Sequence, residues 1–191
     1  MSTSGIYEIL IASAQVKKTL AEDTEMIKKI QDIIHLCVDG LRNGGRIWFC
    51  GNGGSAADAQ HLAAELSGRF YLNRKAYSAE ALHVNSSFIT AVANDFGYNT
   101  IYTRALESQA RTGDILIALS TSGKSENISN ALEYARNNGI KSILLTGKDG
   151  GHCASLSDLV IKVPSSDTPR IQEAHITIGH IICCFIEAEL M

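Results

Sequence analysis

The sequence predicts an α/β protein: a five-stranded parallel sheet flanked by helices, with additional helices ahead of it. Three observations carry this. From Arg46 onward short apolar runs alternate with helical segments, the order of a parallel sheet with covering helices. Those runs, among them RIWFC, DILIAL and KSILLT, barely alternate in polarity, as strands buried on both faces do. The first 44 residues show helical periodicity and no strand-like run.

Taken in order, the N-terminal segment repeats apolar residues at helical spacing (Ile27, Ile30, Ile34, Val38, Leu41) and stops at Gly44-Gly45, a C-terminal cap signal. Its helices have no strands of their own, so they must cover one face or pack on another subunit. Residues 1–44 are therefore expected to form a helical segment at a subunit interface, and residues 45–191 a single α/β domain. Strands are expected near 46–50, 79–84, 114–119, 141–146 and 158–163. Helices are expected near 54–67, 86–110 with a break around Gly97, 124–138, and 168–190. The last helix carries Ile176, Ile178, Ile181, Ile182, Phe185 and Ile186 and is apolar nearly all round. Such a helix is buried on more than one side, which in so short a chain points to contact between subunits.

Composition narrows the classes. At 191 residues the chain fits one domain with a proper core, and 45% hydrophobic content excludes disorder. A net charge of −3 with both signs scattered gives no electrostatic footing for nucleic acid or a membrane surface. No apolar run approaches the roughly 20 residues of a spanning helix. The start MSTSGIYEIL lacks a signal peptide's basic region and cleavage site, so a cytoplasmic location is expected. The five cysteines include no C-x-x-C pair and fall in apolar runs, which fits small buried hydrophobes in a reducing compartment.

Ligands of an open parallel sheet bind where strands end and helices begin. Two such turns stand out: Gly51-Asn52-Gly53-Gly54-Ser55, and Ser120-Thr121-Ser122-Gly123-Lys124-Ser125. Hydroxyls and backbone N–H groups at a helix N-terminus suit a phosphate. Helix capping alone accounts for one such hydroxyl, but not for four within six positions. The first turn also matches G-x-G-x-x-A, yet the next strand ends in His83-Val84-Asn85-Ser86, without the acid a dinucleotide's ribose requires. His61 and Glu65, at i and i+4, share one helix face. They form either a surface hydrogen bond or a pair within reach of a ligand at the turn. The last helix adds Gln172, Glu173, His175 and His180 in an apolar setting. Gln172 and His180 lie about 80° apart around that helix and about 12 Å apart along it. They converge on one ion only if Gln172 sits at a frayed helix start or if two chains contribute.

The segments CGNGGSAADAQHLAAELSGRF, AVANDFGYN, GDILIALSTSGKSENI and TPRIQEAHITIGHIIC resemble the phosphoheptose isomerases, which act on sedoheptulose 7-phosphate, of the sugar isomerase (SIS) domain superfamily. The likeness runs from about residue 45 to the end, and the helical N-terminus is similar in character. The Ser-Thr-Ser-Gly turn marks the superfamily. The heptose branch is marked by Asn52-Gly53-Gly54-Ser55 with His61-x-x-x-Glu65, and by Arg170-Ile171-Gln172-Glu173 with His180. The resemblance implies flavodoxin-like layering and a homotetramer with active sites between subunits. It implies one zinc per subunit on His61, Glu65, Gln172 and His180, with Glu65 and His180 as the acid–base residues. Substrate contacts fall on Asn52, Gly53, Gly54, Ser55, Glu65, Asn94, Asp95, Ser120, Thr121, Ser122, Ser125 and Gln172. Asn85 stands where many relatives carry aspartate, and Pro169 precedes the Arg170–Glu173 run. The implied reaction converts sedoheptulose 7-phosphate to D-glycero-D-manno-heptose 7-phosphate, the first step toward activated heptose for a lipopolysaccharide, capsule or other surface polysaccharide.

The residues suit that chemistry. Moving a proton between C1 and C2 through an enediol needs a carboxylate base, a proton shuttle between oxygens, and a charge for the enediolate. Glu65, His180 and a zinc would supply these. Two other readings use the same turns: a non-catalytic SIS regulator that binds a phosphosugar, and an isomerase of another sugar phosphate.

Overall fold

The computed structural model describes residues 3–191. Two helices come first, α1 (Thr3–Glu22) and α2 (Thr24–Arg42). Asp23 separates them, its carboxylate accepting the Met26 N–H at 3.0 Å as the N-cap of α2. There follow β1 (Ile47–Gly51), α3 (Gly54–Ser67), β2 (Ala79–Ala81), α4 (Ser86–Phe96), a 3₁₀ turn (Tyr98–Thr100) and α5 (Ile101–Gln109). The second half holds β3 (Ile115–Ser120), α6 (Glu126–Asn137), β4 (Lys141–Thr146), β5 (Leu159–Lys162) and α7 (Thr168–Leu190).

The five strands form one parallel sheet in the order β2-β1-β3-β4-β5. Every residue of β1 and β3 is buried, which accounts for their unbroken apolar sequence. One face of the sheet packs on α2, α3 and α7 through Ile33, Ile34, Leu62, Leu66, Ile178 and Ile182. The other packs on α5 and α6 through Tyr102, Leu106, Ile128 and Leu132. The N-terminal segment is thus divided. α2 belongs to the core of its own chain, whereas α1 leaves Ile6, Tyr7, Ile9 and Leu10 exposed.

Most expected elements recur within a residue or two. The exception is β2, which ends at Ala81 and not at Val84. It is an edge strand with one neighbour, and after the Leu82 N–H meets the Phe49 carbonyl the chain turns toward α4. Asn85 is the N-cap of α4, its side chain accepting from the Phe88 N–H at 3.0 Å; an aspartate would make the same bond. Pro169 sits in the first turn of α7, where a missing N–H costs nothing. Gly97, at φ +91°, ends α4, the break expected there. No described helix is long and apolar enough to cross a membrane.

With this order the direction in which strands are added to the sheet reverses between β1 and β3, and the crevice of such a sheet opens there, beyond the strands' carboxyl ends. Gly51 and Leu119 are paired across that point, so the two glycine- and serine-rich turns emerge side by side.

Candidate active site

The first turn is shaped by close packing. A Cβ on Gly51 would lie 2.4 Å from the Ser55 carbonyl oxygen, and Gly53 adopts φ +57°. Asn52 and the buried Asn127 exchange amide hydrogen bonds, each 2.9 Å, and the Tyr98 hydroxyl donates to Asn52 Oδ1 at 3.1 Å. These bonds fix which way the Asn52 amide faces.

In the second turn, buried Ser120 accepts the Gly123 N–H at 3.2 Å and donates to Ser125 Oγ at 3.4 Å. Gly123 has φ +62°, and a Cβ there would stand 1.9 Å from the Gly150 carbonyl oxygen. Ser125 precedes α6 as its N-cap residue. Between the two turns lies a cavity of about 280 Å³ lined by Asn52, Gly53, Gly54, Ser55, Ser120, Thr121, Ser125, Thr168 and Gln172. It gathers most of the residues expected to hold a phosphosugar. Ser122 faces elsewhere, into an adjoining cavity of about 190 Å³ with Lys124 and Lys148. Thr121 and Thr168 border both cavities. Asn94 and Asp95 lie in the last turn of α4, exposed and bonded to each other at 2.8 Å. Neither lines these two cavities.

The second group lies two turns along α3. His61 Nε2 is 2.9 Å from His180 Nε2 and 3.2 Å from Glu65 Oε1. Ligand atoms of the three residues lie within 4.8 Å of one another. Two imidazole nitrogens and one carboxylate are the donor types of a catalytic zinc site, so these residues fit that ion. Gln172 is placed apart. It lies within α7, not at a frayed end, and its amide packs on Gly54: a Cβ there would be 2.7 Å from Gln172 Nε2. α3 and α7 run parallel, with Gln172 beside Gly54, Gly179 beside Leu62 and His180 beside His61. Within one chain, therefore, Gln172 serves the cavity and His180 the trio.

The structure adds residues that sequence reasoning missed. Asp58 lies one turn before His61, with a buried carboxylate oxygen that has no hydrogen-bond partner among the described residues. Burial pushes its carboxyl up, and the neighbouring His61 and His180 pull it back in part. The i, i+3 spacing to His61 was a signal that could have found it. Phe70 packs on His180 with ring centroids 5.7 Å apart. Asn127 and Tyr98, which orient Asn52, carried no signal of their own.

Comparison with known proteins identifies the family. The SIS domain family model matches residues 11–147, more than half the chain. The phosphoheptose isomerase of Akkermansia muciniphila is 50% identical over 165 residues, covering 86% of this chain and 87% of that protein. That of Sulfurimonas denitrificans is 46% identical, covering 97% and 95%. The solved structure of a phosphoheptose isomerase from Francisella tularensis superposes with a TM-score of 0.93 at 34% identity, over 98% of this chain and 100% of that one. By sequence and by fold, the chain belongs to the phosphoheptose isomerases of the SIS domain family.

Proposed function

We propose that the chain interconverts sedoheptulose 7-phosphate and D-glycero-D-manno-heptose 7-phosphate. Membership of the family makes it an isomerase of a sugar phosphate. The observation that carries the heptose reading is the pairing of the hydroxyl-lined cavity with the His61–Glu65–His180 trio. Two turns of α3 separate Gly54 from His61, about 10 Å at the helical rise. A ligand bridging them has to be long, and a heptose 7-phosphate carries its phosphate and its reacting carbons at opposite ends.

The phosphate is assigned to the cavity, where Ser55, Thr121 and Ser125 offer hydroxyls and α3 and α6 present their N-termini. Asn52, held by Asn127 and Tyr98, orients the sugar. Glu65 takes the proton from C1 of the ketose and later returns it to C2. His180 gives a proton to the oxygen on C2 and accepts one from the oxygen on C1, so the enediol forms and collapses with atoms balanced. A zinc held by His61, Glu65 and His180 would act as a Lewis acid and stabilise negative charge on those oxygens. Gln172 joins that ligand set only from another copy of the chain, since its own chain keeps it at Gly54. Assembly of copies, a homotetramer on this reading, is supported by an apolar groove of about 280 Å³ between α2 and α7. A place early in the supply of heptose for surface polysaccharide follows from the product.

The deciding experiment is isomerisation of sedoheptulose 7-phosphate by the purified protein, with and without a chelator, beside a pentose phosphate. Turnover of the heptose that falls on chelation is expected. Glu65→Gln should lower kcat by roughly 10²–10⁴-fold and abolish exchange of solvent deuterium into the substrate. Binding of the sugar phosphate without turnover would instead identify a regulator, and preference for the pentose another isomerase.

A further inference from the structure

The C-terminal part of α7 carries a buried acid that the reaction does not use. Glu187 lies two turns beyond His180, and it forms an ion pair with Arg74 at 2.8 Å, both side chains only 2% exposed. Its carboxylate also accepts the backbone N–H groups of Phe70 at 3.0 Å, Tyr71 at 2.7 Å and Leu72 at 2.8 Å. Arg74 turns its remaining nitrogens to the end of α3. Nη2 donates to the Glu65 carbonyl at 3.0 Å, and Nη1 donates to those of Leu66 at 3.0 Å, Gly68 at 3.3 Å and Lys75 at 3.0 Å. Its guanidinium also lies over the Tyr77 ring, 3.8 Å from the centroid.

The last carbonyls of a helix have no partner inside it, and the negative end of the helix dipole favours a cation. Arg74 answers both at the turn of α3 that bears Glu65. Glu187 meanwhile fixes the backbone of Phe70, whose ring lies against His180. We propose that Arg74 and Glu187 are positioning residues for the isomerisation: through the segment 68–77 they clamp the Glu65 end of α3 to the stretch of α7 that carries His180. The proposal rests on the acid–base reading of Glu65 and His180 given above.

A general stabilising role is the competing account. A buried ion pair often stabilises no better than apolar residues of the same volume, so stability alone is a weak reason for one here. The bonds also have a direction. They end on α3's last turn and on the backbone of the segment that follows it, Phe70 included, and none reaches the cavity between the two serine- and glycine-rich turns. Burial raises the carboxyl of Glu187, but the three N–H groups and Arg74 outweigh it and hold it below the usual carboxylate range. The clamp therefore stays ionised near neutral pH.

The test is Glu187→Gln and Arg74→Lys in the full chain, read by kcat, KM, melting temperature and the ¹H–¹⁵N imidazole spectrum, with His180 assigned from His180→Gln. The expected result is a kcat at least tenfold lower, KM for the sugar phosphate within about twofold, and displaced His180 ring signals with those of exposed His152 unmoved. A lower melting temperature with kcat and the His180 signals unchanged would reduce the pair to a structural role. A rise in KM at constant kcat would overturn the proposal as well. Should wild type fail to isomerise any sugar phosphate, the functional reading falls while the His180 signals still decide the clamp. If the charge variants do not fold, Phe70→Leu removes the ring and keeps every clamp bond. It should shift the His180 signals and lower kcat severalfold, and an unchanged kcat and spectrum would sink the idea.

Discussion

Ser120 and Ser125 offer hydroxyls to the same cavity, but from different footings. Ser125 is half-buried at the start of α6, and no described backbone N–H is bonded to its hydroxyl. Ser120 is buried and braces the turn through the Gly123 N–H. Hydrogen bonds to a charged group are worth roughly 1.5–3 kcal/mol, or about ten- to a hundredfold in affinity at 1.4 kcal/mol per decade. Ser125→Ala should therefore raise KM by that factor and lower the melting temperature only slightly, since the one bond its hydroxyl makes among the described residues is the long 3.4 Å one from Ser120. Ser120→Ala should raise KM and also lose a little stability, about 0.5–1.5 kcal/mol for one lost hydrogen bond, since the Gly123 N–H keeps the Ser120 carbonyl at 3.1 Å. An unchanged KM in Ser125→Ala would move the phosphate elsewhere, the cavity of Ser122, Lys124 and Lys148 being the next place to look. Legibility at this scale followed local spacing. His61 and Glu65 are one turn apart, and their shared face was readable from that alone. The meeting of His180 with His61 spans 119 residues and came only through the family resemblance. Asn127 holds Asn52 across 75 residues, a pairing that no local pattern announces.

The parallel seating of α3 on α7 is what converts those spacings into a site. Its tightest point is Gly179, where an added Cβ would meet Leu62 Cδ1 at 2.4 Å and Cδ2 at 2.6 Å. Leu62 is itself 1% exposed and has nowhere to go. Gly179→Val should cost roughly 1–3 kcal/mol of overpacking, about 2–4 °C in Tm for each kcal/mol in a chain of this size. It should also lower kcat, because the neighbouring residue is His180. A variant with normal melting and normal turnover would show that the helices do not depend on this contact. Elements of this kind were largely visible in advance. α3, β4 and α7 begin and end where the sequence places them, because glycine, proline and capping residues mark their limits. β2 was overextended by three residues because AEALHV stays apolar past Ala81, and only the sheet's edge decides where pairing stops. The order of the strands was not written in any one of them; it depends on which neighbours cover which face.

On the scale of the whole chain, two kinds of misplaced residue set expectations. The first is apolar and exposed: Ile27, Ile181 and Phe185, with Phe185 at 52%, line the groove between α2 and α7. Phe185→Glu should shift the mass in light scattering toward smaller species, and a wild type that is already monomeric would remove the tetramer. The second is polar and buried. His175 is fully buried on α7, and neither ring nitrogen has a hydrogen-bond partner among the described residues. Burial lowers its pKa to about 4, with the Thr146 backbone beside it offsetting this in part. In the unfolded chain the same imidazole titrates near 6.5. As pH falls from about 6.5 toward about 4, the unfolded state takes up a proton that the folded state refuses, so stability is lost across that window. From pH 7 to pH 5 the loss from this residue is about 2 kcal/mol by linkage. Half-buried His83, lowered chiefly by burial, adds to it in the same direction. His175→Leu fills the site without an ionisable group, so it should keep its stability at pH 7 and lose about 2 kcal/mol less than wild type by pH 5. Urea denaturation at pH 7, 6 and 5, at one fixed protein concentration, measures both slopes. Parallel slopes would mean that His175 titrates alike in the folded and unfolded chain, and the acid sensitivity would then have to originate elsewhere.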